Sequence, residues 1–144
     1  MLSKPDIGWT VFSLGGFQAE ISYLTDIPFE WLISCKTALE HNIPASFFLE
    51  LEGESCVVTA YGHTHIICEN HDCEHTLITV RDVDFAELTR MLLHDIRLYF
   101  DDWVRWYAFE EKESDFARRA PALKELIEET EQALRAYLAK AGRR

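Results

Sequence analysis

The sequence predicts an α+β protein: a single antiparallel β-sheet of about six strands in three hairpins, with one helix after the second strand and two C-terminal helices packed on one face. Turn-forming pairs separate short runs of alternating apolar and polar residues. Two later stretches carry apolar residues at helical spacing. With 144 residues, of which 48% are hydrophobic, one domain covering residues 1–144 is expected.

The first predicted hairpin turns at Gly15 and Gly16, between two apolar-rich runs. Pairing Leu14 with Phe17 and counting outward places apolar residues on one face of the hairpin. The other face is mostly polar: Val11, Ser13, Gln18, Glu20 and Ser22. This alternation is typical of an antiparallel hairpin that is buried on one side.

The next segment is predicted to be a helix that runs up to His41. Thr25 or Asp26 can cap its free N–H groups, and Pro28 fits its first turn. Apolar residues recur at helical spacing: Phe29, Leu32, Ile33 and Leu39. Asn42, followed by a proline at position 44, is expected to stop the helix.

Two more hairpins are predicted between residues 45 and 81. The expected strands are 45–51 and 54–61, joined at Glu52 and Gly53, then 63–68 and 74–81, joined through residues 69–73. Pairing Leu51 with Glu54 places an apolar set on one face: Phe47, Leu49, Cys56 and Val58. The opposite face receives Phe48, Glu50, Ser55, Val57 and Thr59.

The remaining sequence is predicted to form two helices. The first starts at a cap on Asp82 or Asp84 and runs to about residue 110. Its core stripe consists of Phe85, Leu88, Leu92, Ile96, Tyr99, Trp103 and Trp106. The second covers residues 121–141, with Gly142 as its C-terminal cap.

The charge balance limits the function. Fourteen Lys and Arg against 25 Asp and Glu give a net charge of −11, which argues against binding nucleic acid and suits a basic protein partner. The start of the chain has no signal-peptide pattern, and no apolar run is long enough to span a membrane. A cytoplasmic location is therefore expected, with the four cysteines reduced.

A histidine- and cysteine-rich hairpin is the first candidate site. Its best metal ligands are Cys68, His71, Cys73 and His75, which favours zinc in a structural or hydrolytic role as the alternative to a binding function. The spacing matches no standard zinc pattern, so an exposed polar hairpin without metal is the other interpretation. A disulfide between Cys68 and Cys73 across the tip is a further alternative.

An aromatic and acidic segment is the second candidate, and we expect it to bind a protein partner. Its residues are Phe100, Asp101, Asp102, Val104 and Tyr107, which lie off the core stripe of their predicted helix. The alternative is that they are covered within the fold by the last helix, or by a second copy in a homodimer. The chain is thus expected to be a monomer or a homodimer.

Catalytic motifs are absent from the sequence. It contains no nucleophile elbow, phosphate-binding loop, dinucleotide fingerprint or zinc-protease motif. His94 with Cys35 or Cys56 is the one conceivable nucleophilic pair, but both cysteines fall on predicted core faces, where thiols are usually inert. The sequence therefore favours a protein that is not an enzyme.

The order of these segments resembles that of small bacterial immunity proteins encoded beside polymorphic or contact-dependent toxins. The resemblance is carried by the strand pattern of residues 17–26, the hairpin of residues 47–54, the helix start at 84–88 and the aromatic stretch at 99–103. It spans most of the chain. It implies a cytoplasmic, acidic α+β protein that neutralises a cognate toxin, and it provides no site residues.

Overall fold

Six strands and four helices make up the part of the chain that the computed structural model describes, residues 1–70, 72–107 and 113–142. The strands are β1 (Trp9–Leu14), β2 (Phe17–Ser22), β3 (Ala45–Glu50), β4 (Ser55–Ala60), β5 (Thr64–Glu69) and β6 (His75–Val80). The helices are α1 (Ile27–His41), α2 (Phe85–Leu98), α3 (Phe100–Val104) and α4 (Glu113–Ala141). The α+β class is as the sequence predicted.

All three hairpins form. Leu14 pairs with Phe17 in the first, as predicted, and Glu69 pairs with His75 in the third. In the second, the Leu51 N–H donates to the Glu54 carbonyl at 3.3 Å, which is the predicted register. The turn residues and the alternation of apolar side chains are local features, so they fix these registers without tertiary information.

The strands form two sheets, so the prediction of a single six-stranded sheet is wrong. The β1–β2 hairpin stands apart from a four-stranded sheet with the order β3-β4-β5-β6. The free edge of β3 is occupied by α1: the Ser34 hydroxyl donates to the Ser46 carbonyl at 2.7 Å and accepts from the Ser46 N–H at 3.0 Å. At the edge of β1, the Ser3 N–H donates to the Val11 carbonyl at 3.0 Å. These contacts occupy part of the β3 edge and part of the β1 edge, and among the described residues no strand of one sheet pairs with a strand of the other.

Trp31 of α1 connects the two sheets through the core. Its ring stacks on Phe47 of β3 at 4.2 Å between centroids and meets the edge of Phe12 of β1 at 6.0 Å. All three side chains are buried, and the core residues around them form one cluster. Residues of the predicted apolar face, including Leu49 and Val58, are also buried, and α1 packs against this sheet through Trp31.

The C-terminal helices differ from the prediction at their ends. Asp84 caps α2 by accepting the Glu87 N–H at 2.7 Å, but the helix stops at Tyr99, whose backbone is not helical, and resumes as α3. The predicted end near residue 110 lies outside the described residues. α4 starts at Glu113 and contains Pro121 in its interior. Pro121 has no N–H to donate to the carbonyl of Ala117. Because Ala117 is exposed, water can donate a hydrogen bond to that carbonyl instead.

None of the helices in the described ranges combines the length and the apolar character that crossing a bilayer requires.

Candidate functional site

The outward face of the four-stranded sheet carries an unbroken apolar row. Phe48, Val57, Ile67 and Leu77 stand directly opposite one another on β3, β4, β5 and β6. Phe48 is 51% exposed, Ile67 43% and Leu77 64%. Single exposed apolar residues are ordinary on a soluble protein, but a contiguous set indicates a binding surface. We call these four residues the apolar row.

Polar rows border the apolar row on both sides. On the side of the hairpin tips the row consists of Glu50, Ser55, Glu69 and His75, and on the other side of Ser46, Thr59, His65 and Thr79. The hydroxyls of Ser46 and Thr59 lie 2.9 Å apart. His65 Nδ1 lies 3.1 Å from Thr79 Oγ1. An apolar centre with a polar border is the usual layout of a protein interface.

The sheet end that holds the β3–β4 and β5–β6 turns is acidic. Because neighbouring strands are antiparallel, both turns lie at the same end. The two turns and the strand ends beside them carry six carboxylates: Glu50, Glu52, Glu54, Glu69, Asp72 and Glu74. The sequence contains no lysine or arginine between Lys36 and Arg81. The four-stranded sheet therefore has no lysine or arginine of its own to offset this negative charge, which attracts positively charged partners.

The structure does not bring the four predicted metal ligands together as free groups. Cys68 is bonded to Cys56, and His71 lies outside the described residues. Cys73 is an exposed free thiol, and His75 Nε2 lies 3.5 Å from a carboxylate oxygen of Glu69. In the described ranges, no group of three or more His, Cys, Asp or Glu side chains is arranged to hold a metal ion.

The disulfide corrects two expectations about the cysteines. Cys68 pairs with Cys56 rather than with Cys73, and these two cysteines are therefore not reduced. They occupy directly opposite positions on β4 and β5, with their Cα atoms 4.1 Å apart. The sequence contained the signal: a turn centred on Gly62 places positions 56 and 68 at equal distances from it. The prediction treated the second and third hairpins separately and so overlooked the pairing between them.

The residues of the predicted aromatic and acidic surface do not form one exposed patch. Val104 is only 6% exposed, so its side chain is buried within the fold. Phe100 and Tyr107 are partly buried and pack against the core. Asp101 is exposed, and a carboxylate oxygen of Asp102 lies 3.5 Å from Lys4 Nζ. α3 also packs against α4, so the last helix provides part of the cover that the sequence predicted.

Tyr107 contributes to a junction that joins α4 to the start of α1. Its ring meets the ring of Tyr23 edge-on at 6.2 Å, and the Arg119 guanidinium lies 5.2 Å from its centroid. The same guanidinium lies 4.6 Å from the Phe29 centroid and donates to Asp26 at 2.8 Å. Asp26 precedes α1 as predicted, but its carboxylate binds Arg119 and makes no capping bond. These contacts stabilise the fold rather than an exposed site.

The conceivable nucleophilic pair is not assembled. Burial raises the pKa of the Cys35 thiol to about 12, against a smaller opposing effect of a hydrogen bond with Thr89. Cys56 is consumed by the disulfide. His94 Nδ1 instead lies 3.0 Å from a carboxylate oxygen of Asp95. Neither cysteine therefore supplies a thiolate near neutral pH.

The comparisons with known proteins give no relative. No protein family, no curated protein and no solved structure matches this chain. Its function must therefore be argued from the surface described above.

Proposed function

We propose that this protein is an acidic protein-binding module that captures a basic partner protein on the outward face of its four-stranded sheet. The apolar row, lying beside an acidic sheet end without lysine or arginine, carries this proposal. Burial of the row supplies the non-directional part of the binding free energy, at about 25 cal/mol per Å² of apolar surface removed from water. The carboxylates speed the encounter with a basic surface and disfavour acidic competitors.

Neutralisation of a toxin is the role that fits such a module best. A small acidic chain with a net charge of −11 complements a basic toxin, such as a nuclease, whose own substrate is polyanionic. The resemblance to immunity proteins supports the same role. The partner would then be the basic product of a gene adjacent to the gene for this chain.

The first experiment tests toxicity and rescue. Each basic product encoded beside this chain is expressed alone and together with it, and growth is measured. We expect at least one such product to arrest growth alone and to be tolerated when this chain is present. If none is both toxic and rescued, the immunity role is wrong.

The second experiment tests the surface with the purified partner in isothermal titration calorimetry. Ile67→Lys places a charge at the centre of the apolar row and is expected to weaken binding by about 30-fold or more, the loss typical of an interface hot spot. Leu138→Lys is the matched control, because Leu138 is 51% exposed but lies on α4. Equal affinity for the two variants would exclude the sheet face as the binding surface.

Two variants that each remove two negative charges test the acidic sheet end. Replacing Glu52 and Glu54 with Gln should slow association and reduce its dependence on salt, because both charges lie at the rim. Replacing Glu125 and Glu128 with Gln removes the same charge from an exposed part of α4. If this control slows association as much as the first variant, the net charge matters and the acidic sheet end does not.

A further inference from the structure

Strand β6 forms an edge of the four-stranded sheet, and in the described part of the chain no other strand pairs with its far side. Natural proteins usually protect such an edge with charges, proline or a bulge. The sequence His75–Val80 contains no Asp, Glu, Lys, Arg or proline. Its pairing with β5 is regular over six residues, without a bulge.

The unpaired backbone groups of β6 can be assigned from the ladder. The Asn70 N–H donates to the Glu74 carbonyl at 3.1 Å, immediately before the strand pair. Hydrogen-bonded pairs recur every second residue in an antiparallel ladder. The backbone groups of Thr76, Ile78 and Val80 are therefore directed at β5. Those of His75, Leu77 and Thr79 are directed away from it, at the open side.

The opposite edge of the same sheet is treated differently. At β3, the Ser34 hydroxyl of α1 satisfies both backbone groups of Ser46. The fold thus covers part of one edge with a helix. It leaves β6 exposed, with Leu77 64% accessible at the end of the apolar row. An open, uncharged and β-branched edge is suited to accept another strand.

We propose that β6 pairs antiparallel with β6 of a second copy of this chain, with Leu77 facing Leu77 across a two-fold axis. In this register His75 of each copy faces Thr79 of the other. All the outward backbone groups of His75, Leu77 and Thr79 then find partners, which makes six hydrogen bonds. The edge is self-complementary, as a two-fold interface requires.

The side chains agree with the same register. The two apolar rows become one row across eight strands, because Leu77 is the last member of each. No like charges meet within the paired strands, since β6 has no Asp, Glu, Lys or Arg and His75 faces Thr79. Beyond the strand ends, the same register places Arg81 of one copy opposite the uncharged Cys73 of the other. This assembly goes beyond the proposed function, because the outward face remains free for a partner.

Light scattering during size exclusion tests the assembly at two widely different chain concentrations. We expect the wild type to approach twice the 16.7 kDa of one chain as concentration rises. Leu77→Lys should remain at the mass of one chain. Phe48→Lys is the matched control: Phe48 belongs to the same row but lies on β3, so this variant should dimerise like the wild type.

A proline variant tests the backbone bonds themselves. Thr79→Pro removes an N–H that is directed at the open side and spares the bonds to β5, so the fold should persist and the dimer should not. Circular dichroism checks the fold of each variant. Amide hydrogen exchange gives a second readout: in the wild type, the Leu77 amide should be protected in proportion to the dimer fraction, whereas the Ile78 amide is protected in both states.

Two results would overturn the inference. One is a wild-type mass of one chain at every concentration. The other is a dimer that survives in both folded variants, Leu77→Lys and Thr79→Pro, because the contact would then lie elsewhere. Either result leaves the calorimetric test with Ile67→Lys unaffected, so failure of the dimer is distinguishable from failure of the proposed function.

Discussion

Replacing Gly15 with alanine should destabilise the protein far more than the same change at Gly16. Both glycines form the first hairpin turn with left-handed backbone, φ +56° and +86°. A Cβ at position 15 would lie 2.2 Å from Cγ2 of Val80 and 3.2 Å from its Cβ. A Cβ at position 16 would meet no atom of the described residues within 4 Å.

The expected magnitudes follow from these distances. Alanine in left-handed backbone costs about 1–2 kcal/mol at either position. At position 15, overpacking against Val80 adds about 1–3 kcal/mol, since the β-branched valine is stiff at χ1 and cannot swing away freely. The loss is thus about 2–5 kcal/mol for Gly15→Ala and about 1–2 kcal/mol for Gly16→Ala.

Urea unfolding followed by tryptophan fluorescence measures both losses. A double-mutant cycle with Val80→Ala isolates the contact, and relief of about 1–3 kcal/mol is expected in the double variant. Equal losses at Gly15 and Gly16, or no coupling to Val80, would refute the reasoning. The turn would then not be pressed against β6.

Three other predictions concern separate features. In the native protein a thiol reagent should modify only the exposed Cys73, and after unfolding without reductant it should modify Cys35 as well. Rapid modification of both cysteines in the native protein would contradict the burial of Cys35. The Arg97 guanidinium lowers the pKa of Glu131 from 4.5 to about 2. The wild type should therefore be more stable than Arg97→Gln above pH 4.5, and this difference should disappear as the pH falls toward 2. Unfolding measured across pH checks this. Ile7 has φ +43° in a two-residue turn, so Ile7→Asn should raise stability by about 1 kcal/mol in urea unfolding, and a loss would contradict strain there.

Local features of the fold were predictable because short-range chemistry determines them. The register of the first hairpin follows from two glycines and an alternating pattern, and the end of α1 follows from Asn42, which adopts φ +55°. The division into two sheets was not predictable, because tertiary contacts, such as that of Ser34 of α1 with the edge of β3, decide which strand edges meet. The Asp26 carboxylate is a similar case: its partner, Arg119, lies 93 residues away in sequence.

The candidate surface was only partly visible in the sequence for the same reason. The alternation correctly assigned Phe48 and Val57 to the outward face of their hairpin. The continuation of the row through Ile67 and Leu77 required the pairing of β4 with β5, which joins two hairpins. Apolar residues that seem scattered along four strands become one surface only when the registers of all three pairs are combined.

Salt should act in opposite directions on the two proposed associations. Two chains that each carry a net charge of −11 repel each other, and added salt screens that repulsion, so the β6 dimer should tighten with ionic strength. A basic partner is attracted by the acidic sheet end, and the same screening should weaken its binding. Sedimentation for the dimer and calorimetry for the partner, both at low and at high salt, measure the two trends. A dimer that dissociates in salt would indicate an interface held by ion pairs, which β6 cannot supply because it carries no charged residue between Glu74 and Arg81.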